Sequence, residues 1–282
     1  MRLFPGKALK LRTPLYTDDF APVASVPVGD RIFIGCCILA IAALAWAYLF
    51  YLDHQMMRTM EHGAMPAGMD MPGMPMERAW SAADVFFTFV MWIVMMTGMM
   101  AASVMPVVLL FAGAQTRRGK TLARMMTLMF SLGYAVVWIG FSGLATLAQW
   151  ALHDASMLSP LMAASSSRVG GAILCVAGAY QLTPLKRACL LHCRSPLGFF
   201  MTHWRDGRLG ALQMGMRHGG YCLGCCWAVM LVLFVVGVMN LVWVAVLALF
   251  VLLEKTGPAG IVAARTAGVA MIAAGVFFII DV

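Results

Sequence analysis

Charge is scarce in this sequence: only 11% of the 282 residues are Asp, Glu, Lys or Arg, while 62% are hydrophobic. A soluble globular domain has about 25% charged residues and about 45–50% apolar ones. One soluble core of this size cannot bury so much apolar surface, whereas lipid allows apolar side chains to face outward. The scarcity of charge therefore excludes an ordinary soluble domain and predicts an integral membrane protein.

Several chemical signatures are missing as well. We find no Gly-rich phosphate loop, no dinucleotide-binding fingerprint and no P-type ATPase motif, so this chain would not hydrolyse ATP to drive transport. Neither a Ser-His-Asp arrangement nor paired carboxylates can be recognised, which argues against a hydrolase and favours a protein that is not an enzyme. The net charge of +8 comes without a nucleic-acid motif. We assign it to membrane topology and lipid headgroups, because the basic residues fall between apolar runs.

Six apolar runs predict the fold, and most of them reach the roughly 20 residues that cross a bilayer as a helix. They cover about residues 32–52, 83–113, 125–152, 169–185, 221–253 and 259–280. The fifth run is long for one crossing, so it must tilt, project beyond the membrane or break near residues 237–240. We therefore predict an all-α, polytopic transmembrane helix bundle with about six spans.

The distribution of Lys and Arg predicts the orientation. The loops after spans two and four carry four and six basic residues, against two and one in the loops after spans one and three. Basic loops remain in the cytoplasm, which places both termini there and makes this a multi-pass protein of the cell inner membrane. The predicted organisation is an N-terminal cytoplasmic arm (1–30) and a transmembrane domain (31–282). That domain has a Met-rich outer loop (53–80) and a basic, cysteine-containing inner loop (186–221).

Methionine is abundant, with 26 copies, and eight of them lie in the loop 53–80. Thioether sulfur is a soft, neutral ligand that suits Cu(I) and has no proton to lose. The loop therefore indicates capture of copper outside the cell membrane, although a low-complexity linker lying on the membrane is the alternative interpretation. Span two adds MWIVMMTGMM, in which Met95, Met96, Met99 and Met100 form two neighbouring stripes at helical spacing. These stripes are either a path for the captured metal or ordinary packing.

Five of the eight cysteines form two groups, Cys189-x-x-x-Cys193 and Cys222-x-x-Cys225-Cys226. Both groups fall on the predicted cytoplasmic side, where thiols stay reduced and thiolates bind soft metal ions. Three interpretations remain open: a soft-metal site, a redox dithiol at the C-x-x-C pair, or small sulfurs that ease helix packing. For the metal site, Cu(I) is favoured over Zn(II), because the chain is rich in methionine and zinc seldom uses methionine as a ligand.

The remaining cysteines and polar groups have ordinary explanations. Cys36, Cys37 and Cys175 fall within spans, where we expect buried residues. Glu254 and Lys255 end span five and are expected to anchor it at the membrane interface.

Other polar residues within or beside the spans suggest local roles. Asn240 lies inside an apolar run and is expected to bind a neighbouring helix or to line a permeation path. Asp84 is expected to be a helix N-terminal charge behind a cap at Ser81.

Two long motifs, MWIVMMTGMMAASVMP in span two and CLGCCWAVMLVLFVVGVMNLVWVAVLALFVLLEK at 222–255, resemble the bacterial family catalogued as domain of unknown function 2182. Members of that family are described as predicted metal-binding integral membrane proteins, and the resemblance covers roughly residues 31–280. It implies metal binding. The matching positions are Met95, Met96, Met99, Met100, Cys222, Cys225, Cys226 and the Met239-Asn240 pair.

The sequence thus favours a membrane protein that captures Cu(I) and transfers or transports it, with a membrane or periplasmic copper protein as a possible partner. Two alternatives stay open. One is a membrane thiol-disulfide oxidoreductase that cycles Cys222 and Cys225 through a disulfide. The other is a non-enzymatic assembly subunit of a larger membrane complex.

Overall fold

The computed structural model describes residues 28–63, 80–116, 119–155 and 166–280. These residues form helices joined by short turns, which confirms the predicted helical bundle. In chain order the helices are α1 (Val28–Gly63), α2 (Ala82–Gln115), α3 (Lys120–Asp154), α4 (Ser167–Gln181), α5 (Pro184–Arg194), α6 (Pro196–His203), α7 (Gly207–Leu231), α8 (Leu233–Val236), α9 (Leu241–Thr256) and α10 (Gly260–Ile280).

Within the described ranges, five helical stretches are long and apolar enough to cross a membrane. They are Val28–Gln55, Ala82–Gln115, Lys120–Asp154, Gly207–Val236 and Gly260–Ile280. They correspond to the predicted spans one, two, three, five and six. The predicted fourth span is α4, which has only 15 residues. Many large apolar side chains on the outside of these helices are exposed, which is compatible with a protein surrounded by lipid.

Two of the predicted segments fold differently from expectation. The predicted inner loop 186–221 is helical, because it contains most of α5, all of α6 and the first half of α7. The predicted outer loop 53–80 begins as the last turns of α1, up to Gly63. The rest of the Met-rich segment, residues 64–79, and residues 1–27 of the predicted N-terminal arm lie outside the described residues.

The fifth apolar run breaks where the sequence allows a break. Helix α8 ends at Val236, and Gly237 has φ +96°, a conformation that residues with a side chain rarely adopt. Helix α9 then begins behind Asn240, whose side chain accepts a hydrogen bond from the Trp243 backbone N–H at 3.4 Å. Asn240 is exposed, and this hydrogen bond lies within its own helix rather than between helices. Its role is that of an N-cap, for which Asn is among the most favourable residues.

Glycines allow α3 and α7 to pack closely side by side. A Cβ added to Gly133 of α3 would clash with the backbone carbonyl of Leu212, and one added to Gly215 of α7 would clash with that of Phe130. Further along, Gly219 packs against Tyr134 and Val137, so the two helices run parallel. Small residues let membrane helices approach in this way. The close approach brings Tyr134 beside the cysteines of α7.

We expect the change Gly133→Ala to destabilise the protein by about 1–3 kcal/mol, because α3 and α7 must separate to admit the methyl group. Gly140→Ala in the same helix is the matched control, since a Cβ at Gly140 has nothing within 4 Å. The midpoint of thermal aggregation in mild detergent, followed by size-exclusion chromatography, measures the difference. Equal midpoints for the two variants would contradict the close helix crossing.

Candidate metal centre

The C-x-x-C-C group lies well inside α7 and faces the protein interior. Cys222, Cys225 and Cys226 are 2%, 1% and 0% exposed. Spacings of three and four residues place their side chains on one face of the helix. The Cys222 carbonyl accepts hydrogen bonds from the Cys225 Sγ at 3.0 Å and the Cys226 Sγ at 2.8 Å. The motif therefore concentrates three thiols within one helical turn.

Helix α5 brings in a fourth thiol. Pro184 at the start of α5 and the Thr183 side chain, which accepts from the Lys186 backbone N–H at 3.2 Å, begin the helix where it can pack on α7. The Cys193 Sγ then lies 3.8 Å from the Cys225 Sγ. Cys189 is only half-buried, and its Sγ lies against Gly224. Of the two cysteines predicted in this segment, the structure brings Cys193 into the thiol group and leaves Cys189 at its side.

The surroundings of the two α5 thiols favour their protonated forms. The pKa of the Cys193 thiol is raised by hydrogen bonds with Cys222 and Cys225, and then by burial. The pKa of the Cys189 thiol is raised chiefly by burial. A metal ion that binds Cys193 as a thiolate must therefore displace a proton, and metal affinity at this ligand increases with pH.

The predicted methionines of α2 are all buried. Met95, Met96, Met99 and Met100 are each no more than 2% exposed. Met100 is linked to the thiols through Lys255, whose ammonium contacts both the Met100 Sδ and the Cys222 Sγ. We call Met100, Cys193, Cys222, Cys225 and Cys226 the sulfur cluster.

Met95 belongs to the neighbouring stripe and lies further than Met99 from the level of Met100 on α2. Together with Met91 and Met239 it borders a small cavity that Asp53 of α1 also lines. The stripe Met91–Met95–Met99 runs along α2 from this cavity toward the sulfur cluster. Eight residues of helix separate its first and last members, which is about 12 Å.

Lys255 was missed as a functional residue. Its side chain is 7% exposed, and its Nζ donates to the Cys222 Sγ at 3.0 Å, the Ser103 Oγ at 3.2 Å and the Met100 Sδ at 3.6 Å. The expectation that Lys255 anchors α9 at the membrane interface was therefore wrong. The Tyr134 hydroxyl is a further unpredicted neighbour, 3.0 Å from the Cys222 Sγ.

Glu254 is not an interface anchor either. Its carboxylate accepts from the Lys186 Nζ at 2.8 Å, and both side chains are 1% exposed. Arg194 donates to the Glu254 backbone carbonyl at 2.6 Å. These contacts hold the end of α9, which carries Lys255, against α5, which carries Cys193.

His218 lies on the same face of α7, one turn before Cys222. It is 3% exposed, and its ring packs 6.1 Å from the Tyr134 ring. Its Nδ1 has no hydrogen-bond partner among the described residues. In the sequence, His218 falls within the predicted inner loop 186–221. Its spacing of four residues from Cys222 is the feature of the sequence that could have linked His218 to the cysteines.

Two other expectations have clear outcomes. Ser81 caps α2 as predicted, since its side chain accepts from the Asp84 backbone N–H at 3.3 Å. Asp84 completes a capping box by accepting from the Ser81 backbone N–H. Cys36 and Cys37 are exposed on α1 rather than buried, and Cys175 is partly buried.

The donor set suits some metals better than others. The described residues hold no group of three or more His, Cys, Asp or Glu side chains arranged to bind a metal ion. In the described residues the thiols are therefore not prearranged as a cage for zinc or for copper, and binding either metal would require the side chains to move together. What converges is a mixture of thiols and one thioether, Met100, and soft sulfur ligands of this kind select Cu(I).

Comparison with known proteins agrees with copper. A family model described as PpoB2, copper chaperone, matches residues 89–278, about two thirds of the chain. That stretch includes the whole sulfur cluster together with Tyr134 and Lys255. No curated protein matches the chain. No solved structure matches it either. The chain belongs to the PpoB2 copper chaperone family.

Proposed function

We propose that this protein binds one Cu(I) ion at the sulfur cluster and transfers it, as a copper chaperone of the cell inner membrane. The observation that carries the proposal is the convergence of soft donors from three helices. Met100 comes from α2, Cys193 from α5 and the C-x-x-C-C group from α7, and all are buried. Sulfur is the element that Cu(I) prefers, and burial protects the bound ion from water and oxidants.

The buried methionines of α2 are the proposed route to the cluster. Met91, Met95 and Met239 meet beside Asp53 of α1, a helix whose last turns lead into the Met-rich segment. Neutral thioethers hold Cu(I) without losing a proton, so an ion can exchange from one to the next at low cost. Thiols hold it more firmly once deprotonated. The order of ligands supports movement from Met91 through Met95 and Met99 to the cluster.

Delivery to another protein is the proposed fate of the ion. The partner would be a membrane or periplasmic copper protein that presents its own soft ligands. The family match supports transfer to a partner over passage across the membrane, because its description names a chaperone.

A thiol-disulfide oxidoreductase is a second candidate function. The pair that would form the disulfide is Cys193 and Cys225, instead of the Cys222 and Cys225 expected from the sequence. The Cys193 and Cys225 sulfurs are 3.8 Å apart. Exchange requires attack on one of these sulfurs by an outside thiolate. The low exposure of Cys193 and Cys225, 9% and 1%, argues against such attack and for a closed metal site.

A Cu(I) titration tests the proposal. The protein is purified without oxygen in mild detergent and titrated against bathocuproine disulfonate, a chromogenic Cu(I) chelator. We expect one Cu(I) per chain to be withheld from the chelator, and no comparable retention of zinc. Copper retention no higher than that of an unrelated membrane protein would contradict the proposal. Fixed partner proteins purified without metal would instead support an assembly subunit.

A further inference from the structure

Lys255 occupies the point where the soft donors meet. Its ammonium has three N–H groups and three acceptors: the Cys222 Sγ at 3.0 Å, the Ser103 Oγ at 3.2 Å and the Met100 Sδ at 3.6 Å. Two of these acceptors are sulfurs that the proposed function assigns to copper. One buried cation thus already sits between Cys222 and Met100.

The charge of Lys255 is not neutralised by the nearest carboxylate. Glu254 is the adjacent residue, but its carboxylate is bound to Lys186 at 2.8 Å. Among the described residues no ion pair joins Lys255 to Asp or Glu. A buried ammonium is costly unless hydrogen bonds and negative charge surround it. The sulfur of Cys222 and its neighbours therefore provide the environment that stabilises this cation.

We propose that the Lys255 ammonium is the resident cation of the metal-free sulfur cluster and that Cu(I) takes its place on loading. This inference rests on the proposed function, since it concerns the same cluster. The exchange involves no covalent or redox step: one monovalent cation leaves the space between Cys222 and Met100, and another enters. Cu(I) replaces the positive charge that the ammonium takes away, and a proton leaves in addition wherever a thiol such as Cys193 becomes a thiolate ligand.

The length and position of Lys255 allow the exchange. Four methylene groups connect its ammonium to α9, and it lies one residue before the last residue of that helix. The following residues, Thr256, Pro258 and Ala259, include exposed side chains at the turn into α10. A withdrawn ammonium reaches this exposed turn while its stem remains against α9.

Two properties follow from the exchange. A divalent ion would add a second positive charge to a buried site, so the cluster discriminates against Zn(II) by charge as well as by ligand type. Release of copper also becomes easier, because the returning ammonium restores the hydrogen bonds of Cys222, Ser103 and Met100. A chaperone needs such release in order to deliver its cargo.

Acetylation of lysine by N-hydroxysuccinimidyl acetate, read by mass spectrometry, tests the proposal on the wild-type protein. We expect Lys255 to be at least about tenfold less modified in the metal-free protein than in the Cu(I)-loaded protein. The increase should follow copper occupancy as Cu(I) is titrated. Lys186, which is 1% exposed and paired with Glu254, is the internal control and should stay protected in both forms. Equimolar Zn(II) should leave Lys255 protected.

The outcomes separate this inference from the proposed function. Bound copper with Lys255 equally protected before and after loading would overturn the exchange and leave the copper site in place. Extensive modification of Lys255 in the metal-free protein, as high as in the loaded protein, would overturn it too. No ammonium would then be held in the metal-free cluster. Failure of the wild-type protein to bind Cu(I) would overturn both proposals.

Discussion

Replacing Cys222 by serine should lower the Cu(I) affinity of the purified protein by about 100-fold or more, equivalent to about 2.7 kcal/mol. Cys222 is the sulfur with the most connections in the cluster. It contacts the Lys255 ammonium and the Tyr134 hydroxyl at 3.0 Å each, and its carbonyl orients the thiols of Cys225 and Cys226. Serine keeps the shape and the hydrogen bonds but offers Cu(I) a hard oxygen in place of soft sulfur.

The control for this change is Cys36→Ser. Cys36 is a free cysteine exposed on α1 and belongs to none of the contacts of the sulfur cluster. Titration of both variants against bathocuproine disulfonate under anaerobic conditions compares them directly. If Cys222→Ser bound Cu(I) as tightly as Cys36→Ser, Cys222 would not be a copper ligand.

The second large effect concerns the rate of loading. We expect the double change Met95→Leu and Met99→Leu to slow the loading of Cu(I) by about tenfold or more, with a much smaller effect on equilibrium affinity. Leucine conserves most of the volume of methionine, so packing in α2 is largely retained. The thioether relay between the Met91 end of α2 and Met100 is removed.

Stopped-flow measurement of Cu(I) uptake from a weak donor complex, in detergent or in vesicles, reports the loading rate. Met126→Leu is the matched control, because Met126 is also buried, at 5% exposure, but packs in the separate apolar cluster around Phe111 and Phe130. Equal loading rates for the double variant and the control would show that copper reaches the cluster by another route. The stripe would then serve only for packing.

Local sequence patterns predicted the parts of the site that lie on single helices. The spacing of Cys222, Cys225 and Cys226 gave one helical face, and the methionine repeat gave the buried stripe of α2. The Ser81 cap was likewise readable from a few adjacent residues. In each case the helical period alone determines which side chains share a face.

Contacts between distant parts of the chain could not be predicted in the same way. Lys255 meets Ser103 and Met100 across more than 150 residues of sequence, and Glu254 meets Lys186 across 68. Nothing in the periodicity of either partner specifies the other. A charged pair at the end of an apolar run fits an interface anchor equally well, and only the packing of α9 between α2, α5 and α7 shows that it is buried.

The start of α7 illustrates a different difficulty. The basic residues placed 207–220 in the predicted inner loop, yet this segment is helical, and Gly210, Gly215 and Gly219 are buried against neighbours. Glycine lowers helix propensity by about 1 kcal/mol relative to alanine, and the close packing it permits against α3 overrides that preference. This extension of α7 is what places the cysteines well inside a helix rather than at its start.

X-ray absorption at the copper edge of the Cu(I)-loaded wild-type protein tests the central claim most directly. The account predicts a Cu(I) edge and an immediate environment composed of sulfur, with the sulfur signal reduced in any copper that Cys222→Ser retains. Copper surrounded mainly by nitrogen and oxygen, or a spectrum unchanged in Cys222→Ser, would contradict binding at the sulfur cluster.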